Sequence, residues 1–117
     1  MSMLTLHDKA RTLGLGAMYE KHWGRGGFRD LFDDGSPDWA ATPVAEKVID
    51  LRAFEAAGIS VTELIDHYRE TLGQQPDGDR VLGRLPATLW SYREAGYAPA
   101  LPADVGRAVD ARAQTGD

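Results

Sequence analysis

The three histidines are the side chains of this sequence that could bind a metal ion or transfer a proton near neutral pH. His7, His22 and His67 lie far apart in the chain. Zinc-binding motifs often place two histidines three or four positions apart on one helix face, and a catalytic triad cannot be argued from sequence positions alone. The sequence therefore predicts no metal centre and no catalytic histidine.

An aspartate-rich run is the second candidate for chemistry. Asp33, Asp34 and Asp38 surround Gly35, an arrangement that could bind calcium. An EF-hand loop alternates its oxygen ligands and closes with a glutamate, and this run does neither. The nearby segment GRGGF lacks the preceding strand and the Lys-Ser/Thr pair of a phosphate-binding loop. We therefore predict a solvated turn, no cofactor and no enzymatic activity.

Composition narrows the class of protein. A chain of 117 residues is long enough for one domain. The net charge of −5, spread over mixed charges, disfavours broad attraction to nucleic acid or anionic membranes. The absence of cysteine excludes disulfides and fits a reducing compartment. Neither a signal peptide nor an apolar run of membrane-spanning length is evident, so we expect an acidic cytoplasmic protein.

The most informative stretch covers residues 42–73 and predicts two helices joined by a tight turn. Thr42 is a suitable cap for the first helix, with Pro43 at its first position, where a missing N–H costs nothing. Gly58 follows two alanines and suits the left-handed residue that ends a helix. The first helix is therefore predicted to run from Pro43 to the turn at Gly58.

The start of the second helix is also specified by its residues. Ser60 is a suitable cap, and Glu63 three residues later completes a capping box. Ile59 and Leu64 flank this box at the spacing of a hydrophobic staple. This helix is predicted to end at Gly73.

The 3.6-residue period predicts which faces of the two helices are buried. The second helix has one apolar stripe and one acidic stripe, formed by Val61, Leu64, Ile65, Tyr68 and Leu72 and by Glu63, Asp66 and Glu70. The first has two apolar stripes, formed by Val44, Val48, Leu51 and Phe54 and by Ala45, Ile49, Ala53 and Ala56. Because only an arc around Glu46 and Asp50 is polar, we predict a central helix packed between two neighbours.

The turn between the helices has the small-Gly-apolar-polar order of a helix-turn-helix, a motif that can read DNA. Phosphate neutralisation normally supplies much of the affinity for DNA. Residues 42–73 are acidic, with Lys47, Arg52 and Arg69 against Glu46, Asp50, Glu55, Glu63, Asp66 and Glu70. The pair also resembles the auxiliary helices that follow the winged reading head of MerR-type regulators. The resemblance covers about a quarter of the chain and includes no reading head, so it implies only a helical pair.

The rest of the chain predicts further short helices. They are Leu4–Trp23, one turn at Phe28–Phe32, Asp79–Arg84, Pro86–Ala95 and Pro102 to about Ala111. We therefore predict an all-α fold, a compact bundle of five to six short helices around a central helix-turn-helix-like pair. A single domain is expected over residues 1–113, with a frayed tail over 114–117.

Two aromatic surfaces are candidates for binding. The first joins the N-terminal helix to the glycine-rich loop and comprises Leu15, Tyr19, Trp23, Phe28, Phe32 and Trp39. Such rings can anchor a protein partner or pack onto the helices. The second interleaves arginines with rings and comprises Arg80, Arg84, Trp90, Tyr92, Arg93 and Tyr97. Such a mixture can stack nucleic-acid bases and hold a backbone, can form a protein interface, or can pack its rings inward while its arginines stay solvated. The resulting hypothesis is a small non-enzymatic protein-interaction or regulatory module, which binds a protein partner or itself, with a helix-turn-helix DNA-binding regulator as the alternative.

Overall fold

The computed structural model describes residues 5–33 and 42–115, and over these ranges the chain forms helices and turns with no β-strand. The helices are α1 Leu6–Thr12, α2 Gly16–Trp23, α3 Arg29–Phe32, α4 Val44–Ala57, α5 Val61–Leu72, α6 Gly78–Leu82, α7 Leu85–Glu94 and α8 Ala103–Thr115. The all-α prediction is confirmed. The segments outnumber the five to six predicted, partly because several are only one or two turns long.

The N-terminal segment forms two helices, so the prediction of one helix over Leu4–Trp23 is wrong. Gly14 adopts φ +82°, a left-handed conformation that interrupts a right-handed helix. The amide of Leu15 then donates to the carbonyl of Ala10 at 2.7 Å, which closes the turn. α1 and α2 consequently pack against each other.

The ends of α4 and α5 follow the predicted local signals with a shift of one residue. Pro43 precedes α4 as its N-terminal cap residue, so Thr42 lies outside the helix. Gly58 ends α4 with φ +108°. The Ser60 hydroxyl accepts from the Glu63 amide at 3.1 Å, as a capping residue should. The Glu63 carboxylate binds Lys9 of α1 at 2.9 and 3.0 Å, which joins α5 to the N-terminus.

The core confirms the buried face of α5. Its five predicted apolar residues are all buried, while Asp66 and Glu70 are exposed. α7 and α8 pack together and add Leu85, Leu89, Val105 and Val109 to the same core. The hydroxyl of Tyr92, on α7, donates to the carbonyl of Leu31 at 2.6 Å and links α7 to α3.

The prediction for α4 is wrong in one respect. Its first apolar stripe contributes to the core, but its second stripe faces outward, and Ile49 is 67% exposed. The polar arc is split, since Glu46 is exposed whereas Asp50 is buried together with Lys47. Asp50 is buried because it has partners on another helix, which the period of α4 alone does not reveal.

The predicted C-terminal helices are present with shifted ends. α8 continues to Thr115 rather than ending near Ala111. Residues 1–4, 34–41 and 116–117 lie outside the described part, and with them the predicted turn around Asp34, Gly35 and Asp38.

Candidate functional site: a buried charge network and an exposed helix face

A histidine held between two carboxylates lies inside the N-terminal half of the fold. His22 of α2 is only 2% exposed. Its Nδ1 makes a short hydrogen bond with Asp30 of α3, and its Nε2 lies 2.7 Å from the carboxylate of Asp50 on α4. Lys21 donates to the same Asp50 oxygen at 2.8 Å. We call these four residues the charge clamp, because they join α2, α3 and α4.

A left-handed turn places Asp30 against His22. Gly26, Gly27 and Phe28 have φ values of +82°, +68° and +78° in succession. A left-handed conformation is strained for a bulky residue such as Phe28. The turn is held by the Phe28 amide, which donates to the His22 carbonyl at 3.1 Å, and by complete burial of the Phe28 ring. It reverses the chain, so that α3 returns its carboxylate to α2.

The two carboxylate partners of His22 limit where the protons of the charge clamp can lie. A neutral imidazole offers one donor and one acceptor, whereas carboxylates only accept. Two carboxylates can both be satisfied by His22 only if the ring carries two protons or if one carboxylate holds the proton. Burial alone would raise the pKa of Asp50, but hydrogen bonds from Lys21 and His22 outweigh it and lower that pKa. The second oxygen of Asp30 is buried without a hydrogen-bond partner.

This geometry gives His22 a structural role. Both of its ring nitrogens are occupied by carboxylates, so neither is free to bind a metal ion or to exchange a proton with a substrate. Among the described residues, no three His, Cys, Asp or Glu side chains are arranged to hold a metal ion. Sequence reasoning treated His22 separately and missed both carboxylates. The one available signal was Asp50, which lies beside Leu51 and four residues before Phe54 on the buried side of α4.

The other two histidines border an aromatic cluster. His7, Tyr19 and Trp23 stack with centroid separations of 4.7 and 5.7 Å, and the Phe28 ring meets Tyr19 edge-on. The Tyr19 hydroxyl lies 3.0 Å from Nε2 of His67, and burial lowers the pKa of His67 against the opposing effect of Glu70. The lowered pKa favours the neutral form of His67, whose Nε2 can then accept a hydrogen bond from the Tyr19 hydroxyl.

The structure changes the first predicted aromatic surface. Tyr19, Phe28 and Phe32 are buried, so their rings belong to the core and cannot touch a partner. Trp23 remains 38% exposed, and Leu15 is half-buried. Trp39 lies outside the described residues. The left-handed turn explains this inward packing, because it directs Phe28 toward the helices.

The second predicted surface is also not a continuous strip. Tyr92 and Tyr97 are buried, and the Tyr97 hydroxyl makes a short hydrogen bond to Glu55. Burial, and then Glu55, raise the pKa of Tyr97.

The cationic residues of this surface have carboxylate partners. Arg84 donates to Asp33 at 3.1 Å, and Arg93 donates to Asp110 at 2.9 Å while lying 6.0 Å over the Trp90 ring. Arg80 is exposed, 3.8 Å from Asp77. Paired arginines and buried rings leave little for a nucleic-acid backbone to contact.

A small cleft lies between α5, α6, α7 and α8. Its volume is about 270 Å³, and its lining is mainly apolar, with Leu82, Leu85 and Val105 among the contributors. Arg69 donates to Asp104 at 2.7 Å, and both residues line the cleft. The guanidinium is therefore already paired and is not free for an anionic ligand.

The outer face of α4 is the largest departure from the expected distribution of apolar residues. Its residues are exposed or, for Ala53, half-buried; they are Ala45, Glu46, Ile49, Arg52, Ala53 and Ala56. We call this set the outer face of α4. Sequence reasoning assigned its apolar members to the core, because the same period describes both a second packed face and an uncovered one.

None of the helices in the described ranges is long and apolar enough to cross a membrane. Comparisons of the chain with protein-family models, with curated proteins and with solved structures find no match.

Proposed function

We propose that this chain is a small non-enzymatic protein-interaction module of the cytoplasm, and that it binds through the outer face of α4. The observation that carries the proposal is Ile49, a large apolar side chain that is 67% exposed in the middle of a 14-residue helix. Burying an isoleucine side chain contributes about 1.5–3 kcal/mol. A partner that covers Ile49 gains this free energy.

The charge clamp supports the proposal because it fixes the rotation of α4. Asp50 is adjacent to Ile49, so its side chain points about 100° away around the helix. The bonds from His22 and Lys21 hold Asp50 inward, and this keeps Ile49 directed outward. An exposed residue on a rigid element is a better anchor than one on a loop, because less conformational entropy is lost on binding.

The proposal of a non-enzymatic role rests on the histidines. His22 is occupied at both nitrogens, and His67 accepts from Tyr19. His7 stacks on Tyr19 and lies 3.4 Å from Glu20. His22 and His67 are thus engaged by hydrogen bonds within the fold, whereas Nε2 of His7 is buried without one; none of the three lines the small cleft.

DNA binding through a helix-turn-helix of α4 and α5 is the alternative function. Its weakness is electrostatic, because α5 exposes Asp66 and Glu70 where phosphates would lie. Titration of duplex DNA at increasing salt discriminates the two functions. Sequence-selective binding at physiological salt would favour the alternative.

Site-specific photo-crosslinking in cells of the source organism tests the proposal. A benzophenone amino acid at position 49 should crosslink to a discrete protein, and the same group at the exposed position Glu94 of α7 serves as the control. Crosslinking at position 49 alone supports the interaction face. Equal, diffuse crosslinking at both positions would contradict it.

A further inference from the structure

We propose that the partner of the outer face of α4 is a second copy of this chain, bound antiparallel about a two-fold axis that passes at Ile49. This inference rests on the proposed function, because it names the partner for the same face. The resulting assembly is a symmetric homodimer in which each protomer contributes the same helix.

The spacing of residues along α4 is self-complementary. In an antiparallel pair centred on Ile49, residues equally distant from position 49 oppose each other, as an isologous interface requires. Ala45 and Ala53 lie four residues before and after Ile49, so each opposes the other across the interface. Alanine has a small side chain, and one such pair on each side of the isoleucines permits close approach of the helix axes.

The charged residues of the outer face of α4 are also arranged symmetrically about Ile49, with opposite signs on its two sides. Glu46 and Arg52 lie three residues before and after Ile49, about 60° to either side of it around the helix. An antiparallel pair brings Glu46 of each protomer to the same level as Arg52 of its partner, on the other side of the seam and nearer to it than to the partner's Glu46. A parallel pair would bring Glu46 against Glu46 and Arg52 against Arg52. The charges thus favour the antiparallel orientation, by attraction in one arrangement and repulsion in the other.

Both charged groups are exposed in the monomer. Glu46 forms no ion pair within the described residues. Arg52 lies 5.1 Å from the centroid of the Tyr97 ring, and this contact leaves the guanidinium donors in solvent. An intermolecular pair therefore forms without breaking an existing salt bridge.

The size of the face determines the expected strength. α4 has 14 residues, a length of about 21 Å. A contact of one helix with one helix lies at or below the roughly 1,000 Å² expected of a stable interface. The dimer is consequently weak and in exchange with the monomer, and it should be sought over a wide range of concentration.

Analytical ultracentrifugation of the full chain, from low micromolar to several hundred micromolar, tests the inference. We expect reversible monomer–dimer association that Glu46→Arg and Ile49→Lys each reduce at least tenfold. Glu94→Arg, which changes charge equally on the end of α7, should leave association unchanged. Chains that stay monomeric at every concentration, or a Glu46→Arg variant that dimerises like the wild type, would overturn the inference.

Mixing two variants makes the geometry testable. Glu46→Arg and Arg52→Glu should each be monomeric alone, because each homodimer has two repulsive pairs. Their equimolar mixture should associate, because both pairs are then attractive. Circular dichroism must show that Arg52→Glu is folded, since Arg52 contacts Tyr97. If Arg52→Glu is not folded, Glu46→Arg is compared with Glu46→Gln instead. Only Glu46→Arg creates a repulsive pair, so it should weaken association more than Glu46→Gln does.

The two proposals fail in different ways. A monomeric chain that crosslinks in cells from position 49 to a different protein retains the interaction function and rules out the homodimer. A chain that neither self-associates nor crosslinks from that position contradicts both.

Discussion

α4 and α5 are joined by one tight turn, yet they differ in the side chains that they bury: α5 buries an apolar stripe, whereas α4 buries charged residues together with apolar ones. α5 is conventionally amphipathic, with an apolar buried face and acidic residues in solvent. α4 buries Lys47 and Asp50 beside Leu51 and Phe54, and it exposes Ile49. The difference arises from Asp50, because its partners lie on α2.

The comparison shows which contribution determines the rotation of a helix. Covering Ile49 is worth about 1.5–3 kcal/mol. Removing the partner of a buried charge costs about 3–5 kcal/mol. A rotation of α4 by one residue would gain the first, lose the second and also uncover part of the buried Leu51 and Phe54. The exposed apolar face is thus a consequence of the charges and the apolar side chains buried on the other side.

Removal of the central histidine should have the largest effect. His22→Ala leaves Asp30 and Asp50 buried without their shared donor, and we expect a loss of about 3–5 kcal/mol in the free energy of unfolding. Urea denaturation followed by circular dichroism measures it. A loss below about 1 kcal/mol would show that water replaces the imidazole at little cost.

A variant with an apolar replacement of the clamp separates specificity from stability. His22→Leu, Asp30→Leu and Asp50→Leu together should approach or exceed wild-type stability, since well-packed apolar residues often replace buried ion pairs without loss. If α4 is then free to rotate, Ile49 should become protected in surface-labelling experiments. An equally exposed Ile49 would mean that apolar burial at position 50 and at Leu51 and Phe54 is sufficient to set the rotation without the charges.

Acidification should reduce the stabilising contributions of His67 on α5 and of Asp50 on α4 at different pH values. Burial lowers the pKa of His67 on α5 below the ordinary histidine value of 6.5. Its contribution to the free energy of unfolding is therefore complete above pH 6.5 and is lost as the pH falls through the pKa of the folded state. The pKa of Asp50 on α4 lies below 3.8, because the hydrogen bonds from Lys21 and His22 outweigh the effect of burial. Its contribution is complete above that value and is lost on further acidification.

Unfolding free energies measured between pH 7 and pH 3 test this order. His67→Gln should remove the decline that begins near pH 6.5, and Asp50→Asn should remove the decline below pH 4. A His67→Gln variant whose stability declines between pH 7 and pH 5 as steeply as that of the wild type would contradict the assignment to His67.

The sequence is sufficient to predict the start and the buried face of α5, because the signals for both are local. The Ser60 cap directly precedes the helix and the apolar stripe lies within it, so the sequence alone predicts both. The rotation of α4 depends on His22, 28 residues away, and no periodic pattern contains that information. The left-handed turn at Phe28 is likewise a tertiary feature, since its strain is offset by burial of the ring.

Substitution of Ser60 tests whether a local capping signal sets the start of α5. Ser60→Ala removes the acceptor of the Glu63 amide and should cost about 1 kcal/mol. Ser60→Asp retains an acceptor and serves as the control, with little change expected. An unchanged denaturation midpoint for Ser60→Ala would mean that packing alone sets the start of α5.

The smallest effect is expected on the outer face of α4. Ile49→Ser should change the unfolding free energy of the monomer by no more than about 0.5 kcal/mol, because the side chain is mostly in solvent. Leu51→Ala, two residues away and fully buried, should cost about 2–5 kcal/mol.

The midpoint of thermal unfolding adds a second measure, since association stabilises the folded chain by mass action. That midpoint should rise with concentration for the wild type and stay constant for Ile49→Ser. If Ile49→Ser destabilises the chain as strongly as Leu51→Ala at low concentration, Ile49 belongs to the monomer core and α4 resembles α5 after all.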